Sequence, residues 1–141
     1  MLISDALFKK LGKTLPRGAL LFNQGDTGAE MYIIVSGNIA IRQKLQDREQ
    51  LLATLGPGDF LGERALITNT PRMASADAAS DAKLLIVDRR TFETVFKKDP
   101  RISMYFTQKL LQRMQSGAGD KAAEAEMSRY ILQKLEEYAK T

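Results

Sequence analysis

Phe60-Leu61-Gly62-Glu63-Arg64-Ala65-Leu66, with Arg72 six residues further on, is the stretch that decides what this chain folds into. A Gly58-Asp59 turn closes a hydrophobic run just before it. Gly62 has no Cβ and lets another group approach its backbone closely. Glu63, Arg64, Ala65 and Leu66 are good helix formers, so the spacing predicts one helical turn after the glycine. A helix start of this kind presents unpaired main-chain N–H groups and the positive end of the peptide dipole, which suits an anion. Arg72 adds a planar, permanently charged fork that matches a phosphate in two hydrogen bonds. Glu63 adds a carboxylate acceptor, which suits sugar hydroxyls. An anion cradle, a cation and a hydroxyl acceptor between Gly62 and Arg72 point to a small ligand carrying both a phosphate and a ribose.

Working outward, the run continues as Thr70-Pro71-Arg72-Met73-Ala74-Ser75. Upstream stand Gly25-Asp26, Met31-Tyr32-Ile33-Ile34, Ser36-Gly37 and Ile39. In this order and spacing the two sets resemble the cyclic nucleotide-binding domain family, the first being its phosphate-binding cassette. The resemblance covers roughly residues 5–115. It implies a β-roll, a double-stranded β-helix of the jelly-roll kind, and a non-enzymatic sensor for cAMP, with cGMP as the other candidate. It also implies roles. Arg72 would clamp the equatorial oxygens of the cyclic phosphate, with the main-chain N–H groups of Ala65 and Met73 beside it. Glu63 would accept the ribose 2′-hydroxyl. Leu61, Gly62, Arg64 and Ala74 would complete the ligand-binding set.

Each residue also has a plainer explanation. Arg72 could be a surface cation paired with Glu63 or Asp77. Glu63 could be an acid favoured by the helix dipole. The chain also departs from the family pattern. Arg64 stands where an apolar residue is usual; it brings a second cation to the site or points to solvent. Met73 replaces the usual small residue; a hydroxyl there goes with guanine, so Met73 favours adenine. The helix after the roll resembles that of the bacterial catabolite activator group, and Arg113 falls where that group places an Arg near the nucleotide. The hydroxyl pair that reads the purine in that group falls on Gly117-Ala118, which cannot donate from a side chain. Tyr130 and Met114 are the alternatives for capping the base.

The rest of the pattern agrees with a roll flanked by helices. Ser4 caps a short helix over Asp5–Leu11, with Gly12 at its end. From Leu15 to Val87 short apolar runs alternate with Gly-rich turns, which predicts a mainly β, two-sheet architecture. Strands are expected over residues 19–22, 31–35, 39–45, 50–55, 74–79 and 83–87, with a polar hairpin tip at 46–49. A helix is expected over Thr91–Lys98, a break at Asp99-Pro100 and a second helix to about Gln115. Gly117 and Gly119 interrupt it, and a last helix runs over about 121–140. This divides the chain into a binding domain, 1–115, and a C-terminal helical extension, 116–141. In that extension Ala123, Met127, Ile131, Leu135 and Ala139 form a stripe that needs a partner. Packing on the roll and a homodimer through the C-terminal helices are both open, with the dimer favoured.

The absences narrow the function. The 141 residues are enough for one domain with its own core. There is no Cys and no His, which removes disulfides, thiolate nucleophiles, imidazole-held metals and a Ser-His-Asp triad. No metal or cofactor is therefore expected beyond the nucleotide ligand. The net charge of +4 is spread over pairs such as Lys9-Lys10 and Arg89-Arg90, so no nucleic-acid-sized basic cluster forms. The catabolite activator group continues into a helix-turn-helix, but here the sequence stops at Thr141, so no DNA reading is expected of it. With no apolar run near about 18 residues and no signal-peptide core, no membrane contact and a cytoplasmic location are expected. Two other outcomes stay open: the sensor half of a transcription regulator without its DNA-binding domain, and a β-roll interaction module that no longer binds a nucleotide. An enzyme on a cupin-like roll is the weakest reading.

Overall fold

The computed structural model describes residues 2–114 and 121–140. Among them eight strands form two antiparallel four-stranded sheets. The first takes β1 (Gly12–Leu15), β8 (Ala82–Asp88), β3 (Glu30–Ser36) and β6 (Phe60–Leu61), in that spatial order. The second takes β2 (Leu20–Phe22), β7 (Ser75–Ala78), β4 (Ile39–Leu45) and β5 (Arg48–Leu55). This is the expected mainly β roll with flanking helices.

β3 shows why the first sheet sits in the middle. Side chains alternate between the two faces of a strand. Tyr32 and Ile34 enter the core between the sheets, with Leu15, Ile39, Leu61, Ala76 and Leu84. Met31, Ile33 and Val35 enter a second core on the other face. Both faces are buried, so the run reads as continuously apolar rather than alternating. The second core is roofed by helices: α1 (Asp5–Leu11), α2 (Glu63–Thr68), α3 (Arg89–Thr91) running into a π-helical turn (Phe92–Lys97), α4 (Pro100–Met114) and α5 (Lys121–Ala139). Phe106 is its hub, with ring centroids 5.7 Å from Phe60, 5.8 Å from Phe96 and 5.6 Å from Tyr105.

Several expectations need correction. β1 takes up residues assigned to a helix end and a loop. Gly12 is extended (φ −75°) rather than a left-handed cap, and a methyl group there would collide with Phe8. β5 begins at Arg48, because Gln46 with φ 58° lets a tighter turn close the hairpin and Leu45 pairs with Arg48. The helix expected over Thr91–Lys98 begins at Arg89, capped by Asp88, and widens to π geometry at Phe92.

The α5 stripe also differs from its favoured reading. Ile131 and Leu135 are fully buried in the roofed core, with Met127 and Ala139 packed against it. The described part of the stripe therefore packs within its own chain. Ala123 and the expected boundary at Gln115–Asp120 lie outside the residues whose side chains are described.

Polar contacts also hold α5. The Ser4 main-chain N–H and hydroxyl both donate to the Glu136 carboxylate. The Ser128 hydroxyl donates to the Gly58 carbonyl at 3.2 Å. Tyr130 donates to Asp99 Oδ2 at 2.6 Å, while Asp99 Oδ1 accepts from the Arg101 N–H at 3.0 Å and caps α4. The Tyr130 bond holds the Asp99 carboxyl below its usual range, and main-chain donors add to this. The same bond, with burial, pushes the Tyr130 hydroxyl up. A depressed acid stabilises above its unfolded value and loses that contribution as pH falls through the folded one. A raised phenol stabilises below its unfolded value near 10 and loses it as pH rises. Tyr130→Phe is therefore expected to lower the melting temperature at neutral pH, with the gap to wild type closing as pH falls below the ordinary Asp range near about 4 and as it rises above the ordinary Tyr range near about 10. A gap constant across a pH series of melts would contradict this.

Candidate functional site

The cassette and the upstream motif, distant in sequence, meet at Arg72. The Arg72 N–H donates to the Asp26 carbonyl and the Gly25 N–H donates to the Arg72 carbonyl, each at 2.8 Å. The Gly25-Asp26 turn therefore fixes the main chain from which the guanidinium projects. Gly62, at φ 84°, occupies the left-handed region that starts α2. A Cβ there would lie 2.6 Å from Arg72 Nη1, so glycine is required by conformation and by space.

Arg72 is only 6% exposed. Its Nη1 donates to the Gly62 carbonyl at 3.1 Å and its Nη2 to the Glu30 carbonyl at 2.7 Å. Its Nε–H is buried with no hydrogen-bond partner among the described residues. An unanswered donor on a buried cation is costly, which makes this atom the point where an anion fits. The ion pair that would explain Arg72 through Asp77 is absent, because Asp77 binds Arg42 at 2.9 Å.

A cleft of about 450 Å³ opens above the guanidinium. Leu61, Gly62, Arg64, Ala65, Arg72, Met73 and Ala74 all line it, so most of the expected set shares one wall. Ile41, Leu52 and Leu55 from β4 and β5 add an apolar lining. A cleft of this size with a largely apolar lining and a buried cation suits a small organic anion. Arg64 is exposed at its mouth, so it both faces solvent and borders the site. Met73 is 53% exposed at the rim.

Two expected residues stand apart. Glu63 is 1% exposed at the first position of α2 and does not line the cleft. Tyr130 is engaged by Asp99 under the helical roof, with Arg101 4.4 Å over its ring, so it does not cap a base as held here. Arg113 belongs to α4, but its side chain, like that of Met114, lies outside the description, as do Gly117 and Ala118. The Ala65 N–H, expected to face the ligand, donates to the Gly62 carbonyl at 3.2 Å.

The structure also brings in residues that the sequence did not flag. Phe22 lies 4.3 Å beneath the guanidinium carbon. Glu30 supplies a carbonyl, and its carboxylate accepts from the Tyr32 hydroxyl at 3.1 Å. Burial first, then the Glu30 charge and hydrogen bond, push Tyr32 up to about 12, so it remains a donor at any ordinary pH. Gly28 leaves room for Arg72, since a methyl group there would strike Nε and Cζ. A second glycine three residues after Gly25, with no turn left to explain it, is a signal that could have flagged Gly28. Among the described residues no group of three or more acidic side chains could hold a metal ion. No helix among them is long and apolar enough to cross a membrane.

Comparison with known proteins bears on this geometry. The family model described as "Cyclic nucleotide-binding domain" matches residues 12–99. The "Cyclic AMP receptor protein" of Thermus thermophilus is 34% identical over 100 residues, covering 70% of this chain and 46% of that protein. The "cAMP-dependent protein kinase regulatory subunit" of Mycosarcoma maydis is 40% identical over 74 residues, covering 50% of this chain and 14% of that one. The crystal structure of the Thermus thermophilus catabolite activator protein superposes with a TM-score of 0.73 at 29% identity, covering 79% of this chain and 54% of that one. The chain thus spans about half the length of the Thermus regulator and a small part of the fungal subunit.

Proposed function

The chain belongs to the cyclic nucleotide-binding domain family, and from that membership we propose that it is a non-enzymatic sensor for a cyclic nucleotide, cAMP first and cGMP second. The observation that carries the reading is the buried Arg72 lining the cleft, with an Nε–H that has no hydrogen-bond partner among the described residues. A cyclic phosphate would take that donor, and the Met73 main chain lies beside it. Gly62, Leu61, Ala65 and Ala74 would form the close wall, and Arg64 at the mouth would draw the anion in. Glu63 would read the 2′-hydroxyl, which requires its carboxylate to turn toward the cleft as the ligand seats. Arg113 is retained only by resemblance.

Residues 1–115 would form the binding unit and 116–141 its helical extension, acting in the cytoplasm. Phe60 and Leu66 belong to the same core as Phe96, Phe106 and Ile131. Ligand capture that shifts the cassette would therefore bias the packing of α4 and α5, a population shift between two arrangements. The reading needs no homodimer, since the described part of the α5 stripe packs within its own chain.

A second reading is a roll that no longer binds a nucleotide. It is favoured by the two Arg72 nitrogens already engaged by carbonyls and by Glu63 lying off the wall. Melting scans with cAMP, cGMP and cyclic dinucleotides separate the two. A ligand at one hundred times its dissociation constant stabilises the fold by about 2.7 kcal/mol, a shift of several degrees. A shift with cAMP is expected; none with any member of the panel would favour the second reading.

A further inference from the structure

We propose that Phe22 is a positioning residue for Arg72, holding the guanidinium plane in the orientation that the ligand meets in the cleft wall. The inference rests on the anion-binding reading above. The two carbonyl acceptors, of Gly62 and Glu30, fix only the outer nitrogens. The face of the plane is fixed separately. The Phe22 ring lies 4.3 Å from Cζ and stacks on Tyr32, with centroids 5.9 Å apart and planes 24° from parallel. Tyr32 is in turn 5.8 Å from Cζ and tied to Glu30 by its hydroxyl. A cation over an aromatic face is attracted by the ring quadrupole, more strongly where water is excluded.

The backbone aims the ring. The pairing of β2 with β7 shifts register between Leu20 and Phe22, and a break in the ladder of this kind changes where the following side chain is aimed. Gly28 leaves the space around Nε and Cζ open. An arginine otherwise samples many rotamers. Holding it in the binding geometry beforehand removes an ordering cost that the ligand would have to meet.

The test combines calorimetric titration with cAMP and arginine Nε–H NMR spectra of the ligand-free chain. Phe22→Leu keeps an apolar side chain but no ring face; it is expected to weaken binding about tenfold and to make the Arg72 Nε–H exchange faster. Phe22→Tyr keeps the face and is expected to match wild type in both. In an Arg72→Ala background, Phe22→Leu should have no further effect. Gly28→Ala, whose backbone is outside the left-handed region, intrudes on Nε without removing a core side chain and should reproduce the loss.

Wild-type affinity and Nε–H protection in Phe22→Leu would overturn the proposal. So would an equal loss in the Arg72→Ala background, which would mean that the ring touches the ligand directly. If wild type binds no cyclic nucleotide, the sensor reading fails, while the ligand-free Nε–H spectra still decide whether Phe22 holds Arg72.

Discussion

Arg72→Ala is expected to weaken cAMP binding by about 2–5 kcal/mol, the range for truncating one partner of a buried, hydrogen-bonded charge pair. The size follows from what the side chain does. It is a buried cation on the cleft wall, and its Nε–H is a donor with no partner among the described residues. Each charge-assisted hydrogen bond to a desolvated anion contributes about 1.5–3 kcal/mol. A micromolar ligand needs about 8 kcal/mol in all. Phosphate capture is therefore a large share, and contacts to the apolar lining supply much of the rest. Arg72→Lys should recover only part of the loss, because an ammonium cannot reach two carbonyls and an anion in one plane. The loss must be read by calorimetry on variants shown to be folded, since truncation also leaves the Gly62 and Glu30 carbonyls without their donors. Unchanged affinity in Arg72→Ala would remove the phosphate role.

The second large effect is on stability. Phe106→Ala is expected to cost about 3–5 kcal/mol in urea denaturation, the range for emptying a buried aromatic site. Phe106 is 1% exposed and touches Phe60 from the cassette strand, Phe92 and Phe96 from the π-helical turn and its neighbour Tyr105. None of these rings can fill the gap without leaving the others. Phe106→Leu, which keeps apolar volume, should cost less. A Phe106→Ala loss below about 1 kcal/mol would mean that the helical roof is not held by this cluster.

The roll was legible in the sequence because it rests on local signals. Gly25-Asp26 and the Gly62 stretch each announce a turn, and turns at regular spacing dictate short strands. The β1 strand was not legible. Gly12 reads as a helix stop, and nothing local shows that its backbone will pair with Leu85. The partner of the α5 stripe was also hidden, because a helical periodicity records that a face must be covered and not by what. At the site, Arg72 and Gly62 carry their chemistry in their own side chain or its absence. Phe22 and Glu30 do not. One acts through a ring face and the other through a main-chain carbonyl, and both matter only once the fold brings Arg72 beside them. Glu63 shows the converse: its residue type suggested the cleft, and its place at the first turn of α2 buried it.

The central claim is that this cradle holds a ring-closed, monoanionic phosphodiester. Calorimetric titration of the wild-type chain with cAMP and, separately, with 5′-AMP tests it most directly. The account predicts one cAMP per chain with saturable binding, and much weaker binding of the open-ring nucleotide. Equal affinities for the two, or no binding heat and no melting shift with either cAMP or cGMP, would contradict it.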